Sequence, residues 1–144
     1  MYEFEKSILI NRLQQEVFEY VTDPANYAKY IGGSEGAEWT SEGPVGVGST
    51  LRSVGKFMGR KMEGMSEVTA WDPPNQYTRK SVGGPVPFEM KMLFAAQDNG
   101  TQLTLSGQAE IGGFFKLAEG LVGKQFEKQM DGDLKTLKRL MEEG

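Results

Sequence analysis

The 144-residue chain contains no cysteine and no histidine. Those two absences remove most familiar side-chain chemistry: no thiolate nucleophile, no Ser-His-Asp triad, no disulfide framework and no zinc site of the usual kind can be assembled. Any catalysis would rest on Asp, Glu, Lys, Tyr or Arg or on a borrowed group, and neither a metal nor a cofactor is expected. Positive charge is also scarce: 16 Lys and Arg stand against 20 Asp and Glu, a formal net charge of −4. Nothing in that balance favours a polyanion, so nucleic acid is not an expected partner. Long apolar runs are missing too. No stretch approaches the ~18 residues of a membrane span, and MYEFEKSILI at the N-terminus is too charged for a signal peptide. A cytoplasmic location is the expectation that follows. The length suits one domain, residues 1–144, large enough to build a core and enclose a cavity.

Residues 2–10 carry Phe4, Ile8 and Ile10 on one face and Glu3, Glu5 and Ser7 on the other, the alternation of a strand buried on one side. Lys6 falls on the apolar face, either as a side chain snorkelling at a sheet end or as a charge inside a cavity. Gln14–Thr22 has helical spacing, and Asp23-Pro24 ends that helix and starts a second short one through Tyr27, Tyr30 and Ile31. From Glu38 to Ile111 six strand-like segments follow: Glu38–Ser41, Ser49–Met58, Lys61–Trp71, Gln76–Val82, Phe88–Ala96 and Gln102–Ile111. GPVGVG, GR, DPPN, GGPVP and DNG separate them as turns. Connections this short predict an antiparallel meander, because a parallel crossover needs roughly a dozen residues. Pro73 and Pro74 lack the N–H a central strand requires and mark a corner. Apolar residues then recur every three or four positions across Gly113–Glu142, which predicts a single helix of about 45 Å with a charged outer face.

Several motifs fail on inspection. GPVGVGST imitates a phosphate-binding loop, but Ser49 stands where the lysine belongs and a strand follows where a helix N-terminus is needed. Asn99-Gly100-Thr101 reads as a hairpin turn. Glu63 and Glu67 share a strand face, but it is the more polar one, so the pair reads as solvated and no catalytic residue is assigned.

The order strand, two short helices, six strands, long C-terminal helix, with ILIN and YVTDP, GPVGVGS, SEVTAWDPPNQY, GGPVPFEMKMLF, DNGTQLTLS and FEKQMDGDLKTLKRLMEE, resembles the SRPBCC or START-like superfamily. The likeness is nearest to its polyketide cyclase/dehydrase and lipid-transport group. It covers nearly the whole chain, through turn and packing signatures. It implies an α+β helix-grip fold: a curved seven-stranded antiparallel sheet around the last helix, with a ligand cavity between them.

Strand alternation places Phe57, Met62, Phe88, Met90, Met92, Phe94, Leu103 and Leu105 on the face turned to that helix, which contributes Leu121, Val122 and Phe126. Eight methionines suit an adaptable pocket or plain core. Gly120 and Gly123 read as sites of close helix packing or as flexible points. If Tyr77 faces inward, so do Arg79 and Ser81, and a buried Arg79 would either pair with a structural carboxylate or await an acidic or carbonyl-bearing ligand. A one-residue bulge would reverse that assignment. The leading expectation is binding or transport of a hydrophobic or amphipathic small molecule, lipid-like or polyketide-like, oriented by Arg79 and Tyr77 with Tyr27 or Trp39. The alternative is a cyclase or dehydratase working in the same cavity. A third reading is a protein-interaction surface built on Met58, Met65 or Phe115, and homodimerisation is left open.

Overall fold

The computed structural model describes residues Met1–Gly144. Strand β1 (Tyr2–Ile10) leads into helix α1 (Gln14–Thr22), a 3-10 turn (Pro24–Asn26) and the single-turn helix α2 (Tyr27–Tyr30). Six strands follow: β2 (Ser34–Trp39), β3 (Thr50–Phe57), β4 (Arg60–Asp72), β5 (Gln76–Gly83), β6 (Phe88–Gln97) and β7 (Gly100–Ala109). The chain closes with the short α3 (Gly112–Phe115) and the long α4 (Glu119–Glu143).

All seven strands form one curved antiparallel sheet in the order β1-β7-β6-β5-β4-β3-β2. β2 to β7 are a plain meander, and β1 joins beside β7 with Ile8 opposite Leu103 and Phe4 opposite Gly107. The expected sheet is present. Its boundaries depart from the sequence reading most at β2, which begins at Ser34 through a glycine-rich segment with a register shift between Ser34 and Gly36. No helix is long and apolar enough to cross a membrane.

The turn from α1 to α2 is built by local chemistry. The Asp23 carboxylate accepts a hydrogen bond from Ala25 N at 3.0 Å, and Pro24 supplies a pre-set φ at the first helical position. Tyr30 then donates its hydroxyl to Val21 O at 2.8 Å and Asn26 donates to Tyr20 O at 3.1 Å, tying the two helices together. This fixes Tyr27 against the concave face of the sheet, where it is buried.

The single C-terminal helix expected over Gly113–Glu142 is instead two helices. Lys116 adopts a left-handed conformation at φ 55° that ends α3, and α4 starts only at Glu119. Its 25 residues span about 37 Å. Val122, Met130, Leu134, Leu137 and Met141 are buried along it. A Cβ on Gly123 would stand 2.2 Å from the Tyr2 ring, so this glycine lets the helix lie close on β1; Gly120 faces open space. Lys6 sits neither at a sheet end nor in a cavity: its ammonium pairs with Glu127 at 3.3 Å and Asp131 at 3.4 Å, both on α4.

The packed core is concentrated at one end of the groove between sheet and helix. There α1 inserts Val17, Phe18 and Val21, and Phe18 meets Phe94 and Trp71 edge-on at 5.0 and 5.2 Å between ring centres. A bulge in β4 between Val68 and Ala70 lets both Val68 and Trp71 turn inward. It leaves Tyr77 and Arg79 on the inner face, as strand alternation from the buried Tyr77 requires.

Candidate functional site

At the opposite end the groove is not filled. The inward positions of β3, β4 and β7 hold small residues there: Ser53 and Gly55, Gly64 and Ser66, and Ala109. A pleated sheet carries one side chain per inward position, so a run of glycine, serine and alanine leaves volume that one helix cannot occupy. The result is a cavity of about 310 Å³ between the sheet and α4, at the small end of the range for ligand sites. Phe4, Ile31, Phe57, Met62, Met65, Phe88, Met90, Ile111, Phe115 and Phe126 make its wall predominantly apolar. The aromatic rings brace one another: Phe57 packs edge-on against Phe115 at 5.4 Å and Phe126 at 6.4 Å, and Phe4 against Phe126 at 5.1 Å. Exposed Gly32, Gly33, Lys56, Gly83, Gly84 and Pro85 form its rim.

One cation is set into this apolar wall. Arg79 donates from Nη1 to Ser66 Oγ at 3.2 Å and lies over the rings of Phe88 and Tyr27, at 5.4 and 5.8 Å from their centres. Its Nε is buried and has no hydrogen-bond partner within the protein, and no carboxylate lies at ion-pair distance. Of the two readings of an inward Arg79, pairing with a structural carboxylate is therefore overturned; aromatic faces and a serine hold it. Burial is the largest effect on Arg79 and disfavours the charged guanidinium; the net upward direction of its pKa comes from the Tyr27, Tyr77 and Tyr30 phenols, whose Coulombic effect exists only once they ionise. Arg79 is a half-buried cation at any ordinary pH.

The phenols around it are similarly under-satisfied. The hydroxyls of Tyr27 and Tyr77 are buried without a hydrogen-bond partner. Burial, and then Tyr27 nearby, pushes the Tyr77 phenol far up, so it stays neutral. Tyr30, also pushed up by burial, spends its proton on Val21 O. Three orphaned polar atoms in one neighbourhood are unusual in a folded interior, where nearly every buried polar group is paired.

The cavity has one acid near its rim that the sequence reading missed. Asp133 on α4 accepts from Gly32 N and from Gln129 Nε2, both at 2.8 Å, and fastens the α2–β2 connection to the helix. Burial holds its carboxyl above the ordinary value, against the lowering effect of those two hydrogen bonds.

Of the residues expected at the ligand site, Tyr27, Phe57, Met62, Arg79, Phe88, Met90 and Phe126 line the cavity. Trp39, Tyr77, Met92, Phe94, Leu103 and Leu105 face the same groove but belong to its packed end, where α1 and the Trp39, Trp71 and Tyr77 rings fill the space. Val122 packs with Ala109, Ile111 and Phe115 behind the wall, and Leu121 is 59% exposed on the outer side of α4. Phe115, offered as an exposed patch residue, is buried, and Met65 lines the cavity; Met58 alone of that group is exposed. Large apolar side chains mark the groove in the sequence, whereas the cavity is marked by small inward residues. The glycine and serine at Gly55, Gly64 and Ser66 were the available signal.

Comparison with known proteins agrees with this geometry. The polyketide cyclase/dehydrase and lipid transport family matches residues 1–142. Comparison with curated protein sequences returned no match. Among solved structures, a protein from Thermus thermophilus is 23% identical, covers 96% of this chain and 95% of its own, and superposes with a TM-score of 0.80. A START superfamily protein from Mycobacterium smegmatis gives 15% identity, 99% of each chain and a TM-score of 0.80. The Zhui aromatase/cyclase from a Streptomyces species gives 19% identity, 98% and 93% coverage, and a TM-score of 0.78. Identities this low show the shared helix-grip, START-like fold. With 142 of its 144 residues matched, the chain belongs to the polyketide cyclase/dehydrase and lipid transport family.

Proposed function

We propose that the protein binds or carries a hydrophobic or amphipathic small molecule in the cavity between the sheet and α4. The observation that carries this reading is the combination of an apolar wall with a half-buried Arg79 that has no counter-ion. A hollow lined by phenylalanine and methionine gains free energy when an apolar guest displaces its water, at roughly 25 cal/mol per Å² buried. Arg79 gives that guest an orientation, because it lines the cavity and no carboxylate of the protein pairs with it. The methionines Met62 and Met90 in the wall let it adapt to an irregular guest. A thermal-shift screen with fatty acids, isoprenoids and polyketide-like aromatics tests the reading. At least one class raises the melting temperature at excess ligand; a flat response across all three contradicts it.

A second reading, catalysis on the bound guest, is favoured by one observation: the Tyr27 hydroxyl and Arg79 are unpartnered donors in a desolvated site, the arrangement that polarises a carbonyl. The family's description covers cyclases as well as carriers. On this reading Tyr27→Phe and Arg79→Ala each abolish turnover of a poly-β-keto substrate, and turnover that survives both disposes of it.

A further inference from the structure

We propose that the guest is a monoanionic carboxylic acid, seated with its carboxylate on Arg79 and its aliphatic body among Phe57, Phe88, Met90 and Phe126. This rests on the cavity taking a hydrophobic guest at all, and goes further by fixing the charge and shape of its head.

The charge follows from what surrounds Arg79. A cation inside an apolar wall with no carboxylate within ion-pair distance carries an uncompensated desolvation cost. Phe88 and Tyr27 faces and the Ser66 hydroxyl stabilise it only in part. A neutral head group could fill the vacant hydrogen bond at Nε but would leave the charge uncompensated. A cationic head would add repulsion. An anion supplies both. The count of one negative charge follows from the wall: Arg79 is the one basic side chain set into it, the other lining base, Lys56, is exposed at the rim, and the nearby acid is Asp133, the Glu63 carboxylate being turned outward onto Arg52. A second negative charge on the guest would find no further cation inside.

The shape follows from the guanidinium. Nη1 is held by Ser66, Nε is covered but has no protein partner, and Nη2 makes no hydrogen bond, so the Nε–Nη2 edge of the planar fork is unpaired. Two coplanar oxygens of a carboxylate match that edge better than the tetrahedral oxygens of a phosphate confined between two aromatic faces. The buried Tyr27 hydroxyl, also without a partner, is a further donor in the same wall. Size is bounded by the cavity: at about 30 Å³ for each water-sized unit, 310 Å³ takes on the order of ten such units, a medium-length chain.

The test is calorimetric titration at pH 7.5 with four probes of one chain length: decanoic acid, 1-decanol, decylamine and decyl phosphate. Decanoate binds wild type at least about tenfold more tightly than decanol, the ratio expected for a hydrogen bond to a charged group, with decyl phosphate weaker than decanoate and decylamine weakest. Arg79→Gln brings decanoate to the level of decanol, while circular dichroism shows the variant folded. If Arg79→Gln does not fold, the head-group order on wild type decides alone. Equal binding of decanol and decanoate, tighter binding of decyl phosphate, or an Arg79→Gln protein that keeps the preference overturns the carboxylate assignment and leaves the hydrophobic cavity standing. Failure of all four probes also overturns the carboxylate assignment, and the thermal-shift screen across the three ligand classes decides the cavity reading separately.

Discussion

Arg79 costs the ligand-free protein stability, because its charge is half-buried without a counter-ion and its Nε is buried without an acceptor. Methionine has a similar reach and no charge, so Arg79→Met keeps the packing against Phe88 and Tyr27 and removes the cost. The variant should be more stable than wild type by about 1 kcal/mol in urea unfolding without ligand, and a loss of comparable size would contradict this account. Asp133 gives a pH signature of known sign. Its carboxyl titrates higher in the folded protein than in the unfolded chain, with burial the leading cause. The stability it contributes is therefore complete below the unfolded carboxylate value of about 4 and is lost as pH rises through the folded value. Asp133→Asn keeps an acceptor for Gly32 N and does not titrate. Relative to wild type, the variant should gain stability between pH 4 and pH 7 in urea unfolding, and a relative loss over that interval would exclude the assignment.

The two glycines at the start of α4 separate packing from propensity. A Cβ on Gly123 meets the Tyr2 ring, whose hydroxyl is held by Glu127 further along the same helix, whereas a Cβ on Gly120 meets nothing within 4 Å. Gly123→Ala should cost about 1 to 3 kcal/mol through overpacking, and Gly120→Ala should stabilise by about 0.5 to 1 kcal/mol through helix propensity. Thermal unfolding of the pair checks this, and equal shifts would show that neither glycine is placed by contact. At this scale the sequence was readable wherever a period or a turn residue governed the outcome. The alternation of Phe4, Ile8 and Ile10 and the turn residues before each later strand announced the sheet, because pleat and dihedral constraints act locally. The break at Lys116 was not readable. Apolar periodicity runs straight through Phe114, Leu117 and Leu121, and a left-handed lysine, with Phe115 buried against Phe57, is decided by tertiary packing. The ion pairs of Lys6 were hidden for the same reason, since they join residues about 120 positions apart.

The whole molecule is a groove with one solid and one hollow end, and that division explains which site residues were legible. Large inward side chains mark the groove but not its filling: Met92, Phe94, Leu103 and Leu105 share a face with Met90 and Phe88, and only the placement of α1 decides that the first four are core. Adding bulk at the hollow end should therefore remove binding and spare the fold. Met90→Trp is expected to abolish any ligand-induced thermal shift while changing stability by no more than about 1 to 3 kcal/mol; binding that persists would place the ligand elsewhere. The most direct measurement uses the methionines themselves, which sample every region. With methyl-labelled protein, addition of decanoate or another apolar guest should shift the NMR signals of Met62 and Met90 in the cavity wall, leaving the buried Met92, Met130 and Met141 and the exposed Met1 and Met58 in place. Shifts confined to Met1 and Met58, or led by Met92, Met130 and Met141, would contradict a binding cavity at the hollow end.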